Sequence, residues 1–297
     1  MISGEAQAER DRLFASQKPP DRPLEQRRRE WEVEALQHVL PKGARFARVD
    51  AGGVAAEWME MPRVARDRVF LLLHGGGYNA GSPRTHRRLA AHLSRSTHMR
   101  VLTPDYRLAP EHPFPAGVKD ALTAYGWLLN DGLAADHVVV GGDSAGGGLA
   151  LSMLLALREA GAAMPRAAVL MAPWTDLTVS GASYRANRKL DPVVTPEGLK
   201  EAARWYAGER DLTDPMLSPL FADLAGLPPM LIHAASDEVM ADDSRLLADR
   251  AKAAGVEVTL RMYEGLWHVF HGAGIEIPES RQAIDEIGSY LRALRSE

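Results

Sequence analysis

The chain has no cysteine in 297 residues, which excludes disulfides, thiolate nucleophiles and thiolate metal centres together. Hydroxyl side chains remain as the candidate nucleophiles. Nor is there an excess of positive charge: 35 Lys and Arg stand against 39 Asp and Glu, for a net charge of -4, so neither nucleic acid nor an anionic membrane is indicated as a partner. Long apolar runs are missing too. The longest, at 149–157, is roughly half of the ~20 residues a bilayer-spanning helix needs, so it reads as a buried helix and no transmembrane segment is predicted. The amino terminus, MISGEAQAERDRLFASQ, lacks the basic start, apolar middle and small-residue cleavage site of a secretory signal, which points to a cytoplasmic location. What is present is 46% hydrophobic residues, in a length that suits one catalytic domain with a sizeable core.

The pattern along the chain predicts an α/β fold. Residues 1–42 are polar, charged and helix-compatible, and Arg27, Arg28, Arg29 and Glu30 form a dense run that reads as a solvated helix face. The segments 44–49 and 54–59 flank Asp50-Ala51-Gly52-Gly53 and predict an antiparallel hairpin at a sheet edge. Short apolar runs at 69–73, 100–103, 137–140, 167–171, 230–233 and 256–262 then read as buried parallel strands. They alternate with predicted helices at 86–94, 118–129, 145–159, 196–207, 242–254 and 280–294, giving a mostly parallel, doubly wound sheet. No convincing strand lies between Pro173 and Leu227. That interval, about residues 175–215, reads as a cap insertion within a catalytic domain of 43–297, which with the helices of 1–42 would roof the carboxyl edge of the sheet, where open α/β folds place their ligands.

Three motifs sit at that edge. Gly142-Asp143-Ser144-Ala145-Gly146 follows a predicted strand and opens a predicted helix, the context of a nucleophile elbow, whose strained turn leaves no room for side chains at the flanking glycines. His74-Gly75-Gly76-Gly77 follows the strand at 69–73, where the second part of an oxyanion hole is built; Gly76, Gly77 and Ala145 are the candidate backbone donors, and His74 is given a structural role. A serine hydroxyl is a weak nucleophile until a base takes its proton, and the base must be held in one tautomer by an acid. Both should follow the serine in the chain. Asp237, after the strand at 230–233, is the candidate acid, with Glu238 the alternative and Asp242 or Asp243 read as capping the next helix. His268, after the strand at 256–262, is the candidate base, with His271 its rival and His233 read as a satisfied core residue.

With these residues in order, the chain resembles the bacterial hormone-sensitive-lipase-like family of α/β-hydrolase esterases, in its Gly-Asp-Ser-Ala-Gly-Gly branch. The resemblance rests on HGGGY at 74–78, DYRLAPEHPFPA at 105–116, GDSAGG at 142–147, PWTDL at 173–177, SPLFAD at 218–223 and the neighbourhoods of Asp237 and His268. The dodecapeptide at 105–116 is the most specific of these, and Arg107 and Glu111 within it read as braces of the site. The resemblance implies the α/β-hydrolase fold with a helical cap, and a small-molecule ester of short acyl chain as substrate. It also implies Ser144 as nucleophile, His268 as base, Asp237 as its orienter, Gly76, Gly77 and Ala145 as oxyanion donors, and a homodimer as a family expectation; attack by Ser144 and activation of water by His268 require neither a cofactor nor a metal. Two places depart from the family's pattern: SDEVMADDS lacks Asp-Pro-Leu, and WHVFHGAG lacks a simple His-Gly-Phe. The competing readings are an amidase, lactonase or deacetylase with the same triad, or a non-catalytic ligand-binding protein of this fold, like the plant gibberellin receptors.

Overall fold

The alternation of short leucine- and valine-rich runs with amphipathic stretches resolves, in the computed structural model, into an eight-stranded sheet covered by helices, and the structure describes residues 2–17 and 22–294. The hairpin comes first: β1 (Arg45–Asp50) pairs antiparallel with β2 (Ala55–Glu60), the reversal using Gly52 and Gly53 at positive φ. β2 pairs antiparallel with β4 (Met99–Pro104), and from there β3 (Ala65–Leu73), β5 (Val138–Asp143), β6 (Ala167–Met171), β7 (Met230–Ala235) and β8 (Val258–Tyr263) run parallel, in the order β1-β2-β4-β3-β5-β6-β7-β8. This is the α/β-hydrolase fold with a mostly parallel sheet.

Successive strand residues point to opposite faces, and β3 is apolar on both because both are covered. Val69, Leu71 and Leu73 join one core layer with Val118 and Tyr125 of α4 (Ala116–Asn130) and Leu149 and Met153 of α5 (Ala145–Glu159). Phe70 and Leu72 join the other, with Leu89 and Leu93 of α3 (Arg87–Thr97) and Ile284 and Ile287 of α9 (Pro278–Ala293). Two clamped layers hold the strand ends still, and those ends carry the site residues.

The two amino-terminal helices dock at different places. α1 (Gly4–Ala15) starts at Ser3, whose hydroxyl accepts from Ala6 N at 3.1 Å while its own N–H and O–H donate to Glu279 of α9 at 2.6 and 2.7 Å. Its buried Ala6 packs with Leu266, Trp267 and Phe270. α2 (Leu24–Ala35) lies instead over the segment after β3, and this corrects the solvated-face reading of residues 27–30. Arg28 donates to Asn79 O at 2.6 Å and Ala109 O at 2.7 Å and pairs with Glu111, Arg27 stacks over Trp205, and Glu30 bonds Arg22. Only Arg29, with Glu25 at 3.8 Å, keeps the exposed position expected of the run.

Between β6 and β7 the described chain forms α6 (Ala182–Ala186), unforeseen in the sequence, and α7 (Pro196–Ala207). Thr195 caps α7 by accepting from Gly198 N, and Tyr206 stacks on Tyr78 with ring centroids 3.8 Å apart. Contrary to the expectation from sequence, neither Asp242 nor Asp243 caps α8 (Ala241–Ala253): the N-cap is Met240. Asp242 accepts from Ser183 N at 2.8 Å, and Asp243 accepts from Thr175 N, Asp176 N and the Tyr184 hydroxyl, each at 2.8 Å. Their carboxylates, in the first turn of α8, therefore fasten the 175–186 segment to that helix rather than cap it. No helix among the described residues is long and apolar enough to cross a membrane.

Candidate active site

Ser144 stands in the turn between β5 and α5 with φ 54° and ψ -123°, a conformation that costs a non-glycine residue about 1–3 kcal/mol and survives only where its surroundings impose it. The surroundings do so: Ser144 N donates to Met171 O at 2.9 Å, and its carbonyl accepts from Gly147 N at 3.0 Å and Trp174 N at 2.9 Å. The hydroxyl takes no capping bond at the helix start. The flanking glycines answer to crowding. A Cβ on Gly142 would lie 2.4 Å from Leu73 O, and one on Gly146 only 1.9 Å from the same oxygen. Backbone atoms of a core strand cannot retreat, so Gly146→Ala is expected to destabilise the fold by about 3 kcal/mol or more, read as the shift of a urea unfolding midpoint.

The segment after β3 supplies the facing wall. Gly75 N donates to Asp143 Oδ1 at 3.1 Å, and a Cβ on Gly75 would collide with that carboxylate at 2.2 Å. Gly76 at φ 118° and Gly77 at φ 62° then turn the chain back, with no room for a Cβ on Gly76, 2.2 Å from Ala80 O. Among the described residues no acceptor takes the N–H of Gly76, Gly77 or Ala145. Asp143 also faces His86 Nε2 at 3.3 Å. Burial alone would lower His86, but Asp143 outweighs it and holds the imidazole above its ordinary value; Asp143, against its own burial, is held below the usual carboxylate range. His74 has the structural place expected of it. Its ring stacks on Tyr106 at 4.1 Å, the Tyr106 hydroxyl donates to its carbonyl, and burial pushes its pKa down to about 3.

The carboxylate that lies against His268 is Glu238 and not Asp237. Glu238, fully buried, places Oε2 2.8 Å from His268 Nδ1, and its Oε1 accepts from Ala235 N at 3.0 Å. Asp237, the candidate acid, points the other way: its side chain is 21% exposed, pairs with Arg10 of α1 at 3.0 Å and accepts from the Ser236 hydroxyl. The two residues are neighbours in the turn after β7, so the turn aims them apart, and the extra methylene of glutamate spans the gap. A carboxylate only accepts, so the contact puts the proton of the neutral ring on Nδ1 and leaves Nε2 as a base. That nitrogen is buried and has no hydrogen-bond partner among the described residues. Burial works to lower His268, but the Glu238 hydrogen bond and charge, helped by Asp191 and Asp143, prevail and raise its pKa above the ordinary value.

The other histidines separate clearly. His271 lies 3.3 Å from His233 and is held well below its ordinary value, first by burial and then by the neighbouring His233 and His268, so it stays neutral. His233 has that contact through Nδ1, while its Nε2 lacks a hydrogen bond, 3.7 Å from Glu286, so its bonds are satisfied only in part. Arg107 pairs with Asp120 of α4 at 2.8 Å, and Glu111 pairs with Arg28 of α2. Sequence reasoning missed Arg10, Asn187 and Asp191, which gather around the turn carrying Glu238; no motif marks them. An open cleft of about 610 Å³ lies elsewhere, between α2, the β1–β2 hairpin and the 81–87 segment; its lining includes Arg84–Glu32 and Arg87–Glu57 pairs but neither Ser144 nor His268.

Known proteins share this framework. A family profile for the α/β hydrolase fold matches residues 70–272. An acetyl-hydrolase of Streptomyces hygroscopicus is 41% identical over 249 residues, 84% of this chain and 83% of that protein. An esterase of Acinetobacter venetianus is 36% identical over 244 residues, 82% and 80% of the two chains. Among solved structures, an esterase from the bacterial hormone-sensitive lipase family superposes with TM-score 0.95 at 41% identity over 99% of both chains. EstE5, in a crystal soaked with p-nitrophenyl butyrate, gives TM-score 0.95 at 39% identity over 99% of this chain and 100% of that one.

Proposed function

Because this chain belongs to the bacterial hormone-sensitive-lipase-like family of α/β-hydrolase esterases and is a carboxylesterase, we propose that Ser144, His268 and Glu238 form its catalytic triad and that short-acyl esters are its substrates. The observation that carries this reading is the placement, after β5 and after β8 of one sheet, of a strained serine with an uncapped hydroxyl and of a histidine whose Nδ1 is held by a buried carboxylate while Nε2 is left open. Neutral His268 takes the Ser144 proton as the hydroxyl attacks the ester carbonyl, and the N–H groups of Gly76, Gly77 and Ala145 stabilise the oxyanion. His268 then gives its proton to the departing alcohol, and the acyl-serine is hydrolysed by a water that His268 activates.

The amino-terminal helices and the insertion act as the cap. A Cβ placed on Gly76 would come within 3.0 Å of Trp31 of α2, and one on Gly77 within 3.4 Å of Ala202 of α7, so both cap pieces close on the oxyanion glycines. A roof this near the reacting carbonyl favours small acyl groups, and EstE5 is a relative soaked with a four-carbon acyl ester. Hydrolysis of p-nitrophenyl esters graded from acetate to laurate tests the reading: acetate and butyrate should turn over fastest. An inert protein, or one that prefers laurate, would overturn it.

The pH dependence has a definite sign. The rate needs neutral His268, and its pKa is raised, so kcat/KM should fall with acidification from a midpoint above the free-histidine value of ~6.5. A full pH–rate profile on butyrate checks this, and a midpoint below that value would count against His268 as the base.

A further inference from the structure

The turn that carries Glu238 is gripped from outside the sheet. Asn187, which ends α6 in the insertion, donates both hydrogens of Nδ2, to Ser236 O and to Glu238 O, each at 2.8 Å. Asp191, four residues on and only 2% exposed, accepts from Val239 N through Oδ2 at 3.0 Å and from Val193 N through Oδ1 at 2.9 Å. Asp191 N in turn donates to Asn187 O at 3.1 Å, a backbone bond that holds the two residues in one turn of chain. Arg10 of α1 closes this turn of chain from the far side, donating to Leu190 O at 2.9 Å and Gly265 O at 3.0 Å. The backbone on both sides of Asp237 is thus held by the insertion, and with it the direction in which Glu238 points.

We propose that Asn187 and Asp191 are positioning residues for the Glu238–His268 pair, so that the insertion sets the geometry of the acid as well as roofing the substrate. The inference rests on the triad reading above. Backbone bonds from Ser236 N to Tyr263 O at 3.0 Å and from Asp237 N to Leu266 O at 3.2 Å tie one side of the turn to β8 and the segment after it, and the bonds from the insertion hold its other side. A displacement of about 1 Å at a catalytic group is enough to lower a rate by about 100-fold. Asp191 also acts through its charge. Burial lifts it to about 6, while His268 and the bonds from Val193 and Val239 act to lower it; ionised, it favours the imidazolium. The groups that face His268 are Glu238 from the turn, Asp191 from the insertion, Asp143 from the end of β5 and neutral His271; those that act on Asp191 are His268 and Glu238.

The test compares Asn187→Ala, Asp191→Asn and Glu238→Gln on p-nitrophenyl butyrate, with the low-field proton of the imidazole Nδ1 followed by NMR. Asn187→Ala should lower kcat about tenfold with KM within about twofold and shift or broaden that proton, because the removed bonds touch no substrate. Asp191→Asn keeps one acceptor for Val239 N but loses the charge, so the acid limb of its kcat/KM profile should move to lower pH. A wild-type kcat and proton signal in Asn187→Ala, or a wild-type limb in Asp191→Asn, would overturn the inference even if both variants melt earlier. If Asp191→Asn does not fold, Asn187→Ala decides alone. Should Glu238→Gln keep the wild-type rate, the triad reading itself has failed; if it is impaired while the other two are not, only the positioning role is lost.

Discussion

Ser144→Ala is expected to lower kcat/KM for a short p-nitrophenyl ester by about 10⁴-fold or more, with little change in melting temperature. The size follows from what the hydroxyl alone supplies. Without it no acyl-enzyme forms, and what remains is the modest assistance of the oxyanion donors to a direct attack by water. Stability should hold because the bonds that impose the turn, from Ser144 N to Met171 O and from Gly147 N and Trp174 N to Ser144 O, use only the backbone, and alanine keeps the Cβ already accommodated there. The assay is steady-state kinetics on the purified variant beside the wild type, with thermal melts of both. A variant that is folded and retains a tenth of the rate would remove Ser144 from the mechanism.

A contrast between two adjacent carboxylates carries the second large effect. Glu238→Gln should lower kcat by about 10³-fold, whereas Asp237→Asn should stay within about threefold of wild type and cost less than about 1 kcal/mol of stability. Glutamine at 238 keeps the shape but presents a neutral amide to Nδ1, so both the tautomer of His268 and the support for its protonated form are lost. With the carboxylate gone, burial should also draw the His268 pKa down, and the residual activity of the variant should extend to lower pH. Asp237 loses only a partly exposed pair with Arg10 and the bond from Ser236, both away from the imidazole. The opposite ranking of the two variants would return the acid role to Asp237.

Much of this was legible from residue order. Periodicity and flanking glycines or prolines define β6, α5 and α7 at the boundaries observed, because each is an apolar or amphipathic run bounded by a strong breaker or cap such as Thr195-Pro196. Gly142 and Gly146 likewise mark their own turn, since the lack of a Cβ there answers to crowding within a few residues and one neighbouring strand. The charged run at 27–30 is not legible for the complementary reason: a surface helix and a docked one have the same composition, and only the carbonyls of Asn79 and Ala109 make Arg28 an anchor.

The sequence by itself determined the fold class, the family, the elbow with Ser144, the glycine-lined wall opposite it and the location of a histidine after β8, because each rests on local sterics or on a pattern that repeats along the chain. Only the tertiary structure shows which of Asp237 and Glu238 lies against His268. Both stand in one turn, both are carboxylates, and their directions depend on a backbone held by Asn187 and Asp191 from the insertion and by Arg10 from the first helix. Those groups are far apart in sequence, and the burial of Glu238 against His268 exists only once the sheet, the insertion and α1 have closed around the turn.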